Sequence, residues 1–164
     1  MTLDLSQPPD LSKPHVIALP DEAATIALGA AIAPHLRRGD VVYLTGELGM
    51  GKSTLARGLI RALTRPDQEV PSPTFTLVQS YDTPAFELLH LDLYRLEDPE
   101  ETLELGLDEA LNDGVLLIEW PDRLGHLGFD ARLDIVLEQH DHTNSPEGGG
   151  RIARLTPQGQ FRDP

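Results

Sequence analysis

Apolar positions recur along the chain in two patterns, short continuous runs and a four-residue spacing, and together they predict strands alternating with helices. His15–Leu19 reads as a short strand. Pro20-Asp21-Glu22 then opens a helix, with acids in its first turn and Ala23, Ile26, Ala27 and Ala30 on one face. Gly39 closes that unit. Asp40–Thr45 (DVVYLT) is nearly all apolar, as in a strand buried on both faces. A loop over Gly46–Gly51 leads to a helix from Lys52 to Leu63. Leu55, Leu59 and Leu63 fall on its sheet side, Arg57, Arg61 and Arg65 fall opposite, and Pro66 stops it.

Further on, Phe75–Tyr81 and Phe86–Leu91 read as a hairpin around Asp82-Thr83-Pro84. Pro99–Asn112 is an acidic helical stretch. Val115–Ile118 (VLLI) is a second deeply buried strand, ended by Glu119-Trp120-Pro121. Arg132–Gln139 and Arg151–Thr156 predict a closing hairpin, whose glycine-rich loop, His140–Gly150, reads as mobile. The proline-rich start, Met1–Pro14, reads as a disordered leader, and residues 158–164 as a flexible tail. The expectation is a single α/β domain over residues 15–157, a mixed β-sheet flanked by helices, with a C-terminal hairpin.

Composition narrows the partners. The 164 residues hold 27 acids against 13 lysines and arginines, a net charge of −14. Sequence-independent binding to DNA or RNA needs many phosphate-neutralising cations, which this chain lacks. Service in RNA chemistry would have to pass through a partner that holds the RNA. The absence of cysteine excludes disulfides and thiolate metal sites. No apolar run approaches the roughly 20 residues of a membrane span. The start lacks the pattern of a secretory signal, so the cytoplasm is the expected compartment.

Gly46-Glu47-Leu48-Gly49-Met50-Gly51-Lys52-Ser53 fits the spacing G-x-x-x-x-G-K-[ST]. Glycines let successive backbone N–H groups converge on phosphate oxygens, and the helix that follows adds its positive end. In this pattern Lys52 reaches the β- and γ-phosphates and the Ser53 hydroxyl ligates Mg²⁺. The strand before the motif and the amphipathic helix after it supply the context the pattern requires. Val115–Ile118 followed by Glu119 has the form of a strand that ends in a magnesium-holding carboxylate. Asp92 shares a strand face with His90 and is a second candidate for orienting water or metal. His90 itself reads as a packed, hydrogen-bonded histidine. Thr74 and Thr76 lie where switch loops sense a γ-phosphate. Trp120, the only tryptophan, is equally suited to stack near a nucleotide or to cap the core. The acids at Glu97, Asp98, Glu100, Glu101, Glu104, Asp108 and Glu109 read as a solvated face, with docking of a basic partner the sharper alternative. No guanine-reading segment follows either lysine, which favours ATP over GTP.

GELGMGKST, SPTFTLV, HLDLYR and LIEWPDR, in this order and spacing, resemble the TsaE family, over roughly His15 to Pro157. The resemblance implies a P-loop NTPase-like mixed β-sheet and the ATPase component of bacterial tRNA threonylcarbamoyladenosine biosynthesis, using ATP with Mg²⁺ and associating with TsaB and TsaD. It implies that hydrolysis resets that machine between rounds and that tRNA is met only through the complex. By the same resemblance, loop contacts fall on Glu47, Leu48, Gly49, Met50, Gly51, Lys52, Ser53 and Thr54. The Mg²⁺ ligands fall on Ser53 and Glu119, the catalytic aspartate on Asp92 and the tryptophan after the metal strand on Trp120. An early contact falls on Glu22 and a C-terminal arginine contact on Arg151. Met50 stands where the family commonly has alanine, and Ser53 where it commonly has threonine. Catalysis would then rest on Lys52, Asp92 and Glu119, with weak activity in the absence of a partner. Two rivals remain: a small P-loop kinase, which would need an acceptor pocket and an arginine-rich lid, and a nucleotide-gated binding module without turnover.

Overall fold

The two continuous apolar runs become β2 (Val41–Thr45) and β5 (Gly114–Glu119), which lie side by side and parallel in the middle of one sheet. The computed structural model describes residues 9–139 and 150–162. The remaining strands are β1 (His15–Leu19), β3 (Val78–Asp82), β4 (Glu87–Asp92), β6 (Arg132–Gln139) and β7 (Arg151–Gln158). Their order across the sheet is β1-β7-β6-β2-β5-β4-β3. β6, β2, β5 and β4 form a parallel block, and β3 and β7 run antiparallel to its two sides. β1 pairs antiparallel with β7 at the far edge.

Alternation along the central strands divides the core in two. Val42, Leu44, Val115 and Leu117 face α1 (Glu22–Ile32) and α2 (Lys52–Leu63). Val41, Tyr43, Leu116 and Ile118 face α3 (Leu107–Asp113) and the short 3₁₀ turns at Pro99–Leu105 and Pro121–Leu127. Asp21 caps α1, its carboxylate accepting from Ala24 N at 2.8 Å. α1 and α2 touch through glycine. A Cβ on Gly29 would lie 2.3 Å from the Leu55 carbonyl oxygen, and one on Gly58 would lie 2.4 Å from that of Ile26. Only hydrogen fits at either place.

Several boundaries depart from the sequence reading. The buried face of α1 is Thr25, Leu28, Gly29 and Ile32, while Ile26 is 36% exposed, because the glycine contact with α2 sets the helix rotation. β3 starts at Val78 instead of Phe75. Residues 74–77 form a turn closed by Leu77 N donating to Pro73 O at 2.7 Å, and Phe75 is 78% exposed. The acidic stretch is two pieces, split where Gly106 turns left-handed between the 3₁₀ turn and α3. The leader is anchored at its end: Leu11 joins the core, and His15 Nε2 bonds to Asp10 O at 2.7 Å. Nor is the tail free from residue 158, since Phe161 is buried and Arg162 forms a two-pronged ion pair with Asp40 at 2.8 and 2.6 Å. The expected mobile loop falls almost wholly on residues 140–149, outside the described residues.

Candidate nucleotide site

Because β2, β4 and β5 are parallel, their C-terminal ends open on the same edge, where open α/β sheets bind their ligands. β2 leads into the loop and α2, β4 ends on Asp92, and β5 ends on Glu119 directly opposite Asp92 in register. A cavity of about 480 Å³ lies there. It is lined by Gly49, Gly51, Lys52, Ser53 and Thr54 from the loop and helix start, and by Asp92, Glu119 and Trp120 from the strand ends. Glu22 and Arg151, far apart in the chain, both reach its wall. Leu48 lines it too, so most of the expected contacts converge.

Glu47 and Met50 do not line this cavity. They face a second one, of about 500 Å³, on the other side of the loop with Val136, Leu137 and Asp122. Met50 packs against the main core, so its bulk is taken up away from the site. Trp120 borders both cavities and forms the wall between them. It has φ 57° and ψ 52°, a left-handed conformation that costs a bulky residue about 1–2 kcal/mol. Such strain gathers where a side chain must be aimed. The Tyr94 ring supports it, centroid to centroid 5.0 Å.

Gly51 precedes α2 with φ +98°, a region costly for other residues. A Cβ there would also lie 2.7 Å from Arg151 Nη1, so that arginine is seated against the loop. No side chain caps α2, which leaves its first-turn N–H groups facing the cavity as an anion site. Lys52 is only 6% exposed. Its ammonium donates to the Gly46 carbonyl and to that of Glu47 at 3.0 Å, and sits 4.4 Å from the Trp120 ring centroid. Burial holds its pKa below 10.5, and the carboxylates of Glu119 and Asp92 act in the opposite direction.

Asp92 is fixed through both oxygens. Oδ2 accepts from Thr74 Oγ1 at 2.9 Å and Oδ1 from the Tyr94 N–H at 3.0 Å. Ser72 and Thr74 hydroxyls share a hydrogen bond of 2.7 Å, and both line the cavity. Thr76 instead accepts from Gln79 Nε2 at 3.2 Å, outside the cavity. Glu119 meets His90, as the expected packed histidine. The sequence did not disclose that partner, because the two lie 29 positions apart and meet only through strand register. Among the described residues, no three His, Cys, Asp or Glu side chains gather into a metal cage. Arg61 of α2 bonds to Gln68 O at 3.0 Å, and Arg65, just past the helix, pairs with Asp67 at 3.1 Å, so both are engaged away from the cavity. Among the described residues, no helix is long and apolar enough to cross a membrane.

A mixed sheet with a glycine loop and helix start at its parallel strand ends defines a P-loop nucleotide-binding protein. The family "Threonylcarbamoyl adenosine biosynthesis protein TsaE" matches residues 19–147, and the chain belongs to that family. It is 40% identical over 126 residues to a "tRNA threonylcarbamoyladenosine biosynthesis protein TsaE" of Rickettsia felis, covering 77% of this chain and 74% of the relative. A protein of the same name from a Nostoc species is 36% identical over 162 residues, covering 96% and 93%. The crystal structure of YdiB from Bacillus subtilis superimposes with TM-score 0.72 at 27% identity, over 90% of this chain and 88% of that one. The family places this protein in tRNA threonylcarbamoyladenosine biosynthesis, and its fold implies nucleotide binding.

Proposed function

We propose that this chain binds ATP with Mg²⁺ in the 480 Å³ cavity, hydrolyses it slowly alone, and acts with TsaB and TsaD in the cytoplasm to reset the tRNA-modifying complex. One observation carries the reading. Phosphate-binding loop, buried lysine, hydroxyl and two strand-end carboxylates line a single cavity. With a net charge of −14, the chain would meet tRNA only through the complex.

Phosphoryl transfer depends mainly on positioning and electrostatics. The free N–H groups of α2 and the loop cradle the phosphates. Lys52 gives up its carbonyl partners for phosphate oxygens, for which an ammonium already stripped of water is well suited. Arg151, seated against Gly51, adds a second cation near the bound anion. Asp92, held through both oxygens, orients the attacking water. Glu22 closes the cavity at its outer lip, and Trp120 walls it from the neighbouring one.

The donor set suits magnesium, which keeps several waters and takes one or two protein groups beside substrate phosphates. Ser53 and Glu119 would hold it, which agrees with the lack of a protein-only cage among the described residues. When bound, the ion neutralises charge developing on the phosphate oxygens.

The test is phosphate release by the isolated chain, with and without TsaB and TsaD. Weak activity alone, raised by the partners and abolished in Lys52→Ala, is expected. Full activity of that variant would overturn the proposal.

A further inference from the structure

We infer that His90 is the positioning residue that sets Glu119 for magnesium, an inference that rests on the proposed role of Glu119. β4 and β5 pair in parallel with His90 opposite Leu117 and Asp92 opposite Glu119. His90, Asp92 and Glu119 therefore share one face of the sheet. The imidazole reaches diagonally along that face, and its Nε2 lies 2.6 Å from Glu119 Oε2. The two side chains are 1% and 2% exposed, so water does not compete for this contact.

A carboxylate can only accept, so the ring donates from Nε2. Nδ1 is buried without a partner among the described residues, so the contact with Glu119 is the polar anchor of the ring there. Glu119 Oε1 makes no hydrogen bond among the described residues, and its residue lines the cavity. One oxygen is thus anchored in the protein and the other is offered to the site. A glutamate has three rotatable side-chain bonds, and a free one would sample several rotamers at the strand end. The histidine removes that freedom before the ion arrives. Partners of this kind, one step behind a metal ligand, change metal affinity by 10–100-fold when removed, roughly speaking.

The experiment measures the dissociation constant of fluorescent mant-ADP with magnesium and with EDTA, and takes their ratio as the magnesium enhancement. His90→Leu should lose about tenfold of that enhancement while its EDTA affinity stays that of the wild type. His90→Gln, whose amide extends toward the Nε2 position, should keep most of it. His90→Asn, whose amide is too short to reach Glu119, should lose it, and this pair decides the matter if the leucine variant does not fold. Equal enhancement in the glutamine and asparagine variants, or wild-type enhancement in a folded His90→Leu, would overturn the inference. Glu119→Gln separates the two levels. If it abolishes the enhancement while the histidine variants keep it, only the role of His90 fails; if it leaves the enhancement intact, the metal role of Glu119 fails first.

Discussion

Lys52 and Trp120 are stacked, the ammonium nitrogen 4.4 Å from the indole centroid, although one begins α2 and the other follows β5. Such a contact is electrostatic and weakens as soon as the cation moves. Trp120 is the only tryptophan, so tryptophan emission reports on this one position. Saturating ATP should therefore shift or rescale the fluorescence. Lys52→Ala should start from a different baseline and show no nucleotide-dependent change. Emission indifferent to ATP in the wild type would contradict the movement of Lys52.

Thr74 holds one oxygen of Asp92 and Thr76 does not. Thr74→Val should slow hydrolysis about tenfold, the lower range for loss of a supporting hydrogen bond at a site, with ATP affinity nearly unchanged. Thr76→Val should leave the rate within about twofold. Equal effects from both would show that the Thr74 hydroxyl has no special part. Single-turnover rates beside equilibrium binding make the comparison.

At the crossing of α1 and α2, the backbone of one helix fills the space a side chain would need on the other. Gly58→Ala should cost about 2 kcal/mol as an overpacking change. For a chain of this size that is a fall in Tm of roughly 4–8 °C. Ala62→Gly, on the exposed side of α2, should cost about 1 kcal/mol through helix propensity alone. A Gly58→Ala protein as stable as the wild type would mean that the helices separate freely.

Tyr81 is buried, and its hydroxyl finds no partner among the described residues. Burial raises its pKa above 10.0. The sign follows from the neutral phenol being the form the fold prefers. Its contribution is intact below pH 10 and is lost as pH rises through the raised folded-state pKa. Tyr81→Phe should leave stability at pH 7 unchanged or raise it by about 1 kcal/mol, since an unsatisfied polar group is removed. It should also flatten the loss of stability above pH 10. Denaturant titrations at pH 7 and pH 10.5 would expose a failure of either part.

Strands and site were legible to different depths. β2 and β5 were readable because burial on both faces leaves no polar position to confuse the pattern. α2 was readable because leucines recur every four residues beside arginines. α1 misled: Ala23, Ala24, Ala27, Ala30 and Ala31 make it apolar on nearly every side, so periodicity gives no direction. Its rotation is fixed by Gly29, whose lack of a side chain carries no hydrophobic signal. Phe75 misled in the opposite way, an aromatic placed in a turn where it is largely exposed. In the site, Lys52 and Ser53 are tied to one local motif and were visible. Glu22 and Arg151 could be located only by resemblance, because the sheet order that joins their regions is not local. The pairing of His90 with Glu119 needed the register of β4 on β5, which no spacing within either strand encodes.

The edge of the sheet has a consequence for biosynthesis. β1, at residues 15–19, has β7, at residues 151–155, as its partner in the sheet. Asp40, at the base of the loop-bearing strand, receives its guanidinium from Arg162. A ribosome that has released only the first hundred residues has thus delivered the phosphate loop without Glu119, without Arg151 and without the strand that closes the sheet. Nascent chains should expose an unpaired edge until synthesis is nearly through this domain. The strand pairings that surround the candidate site are thus completed late in synthesis.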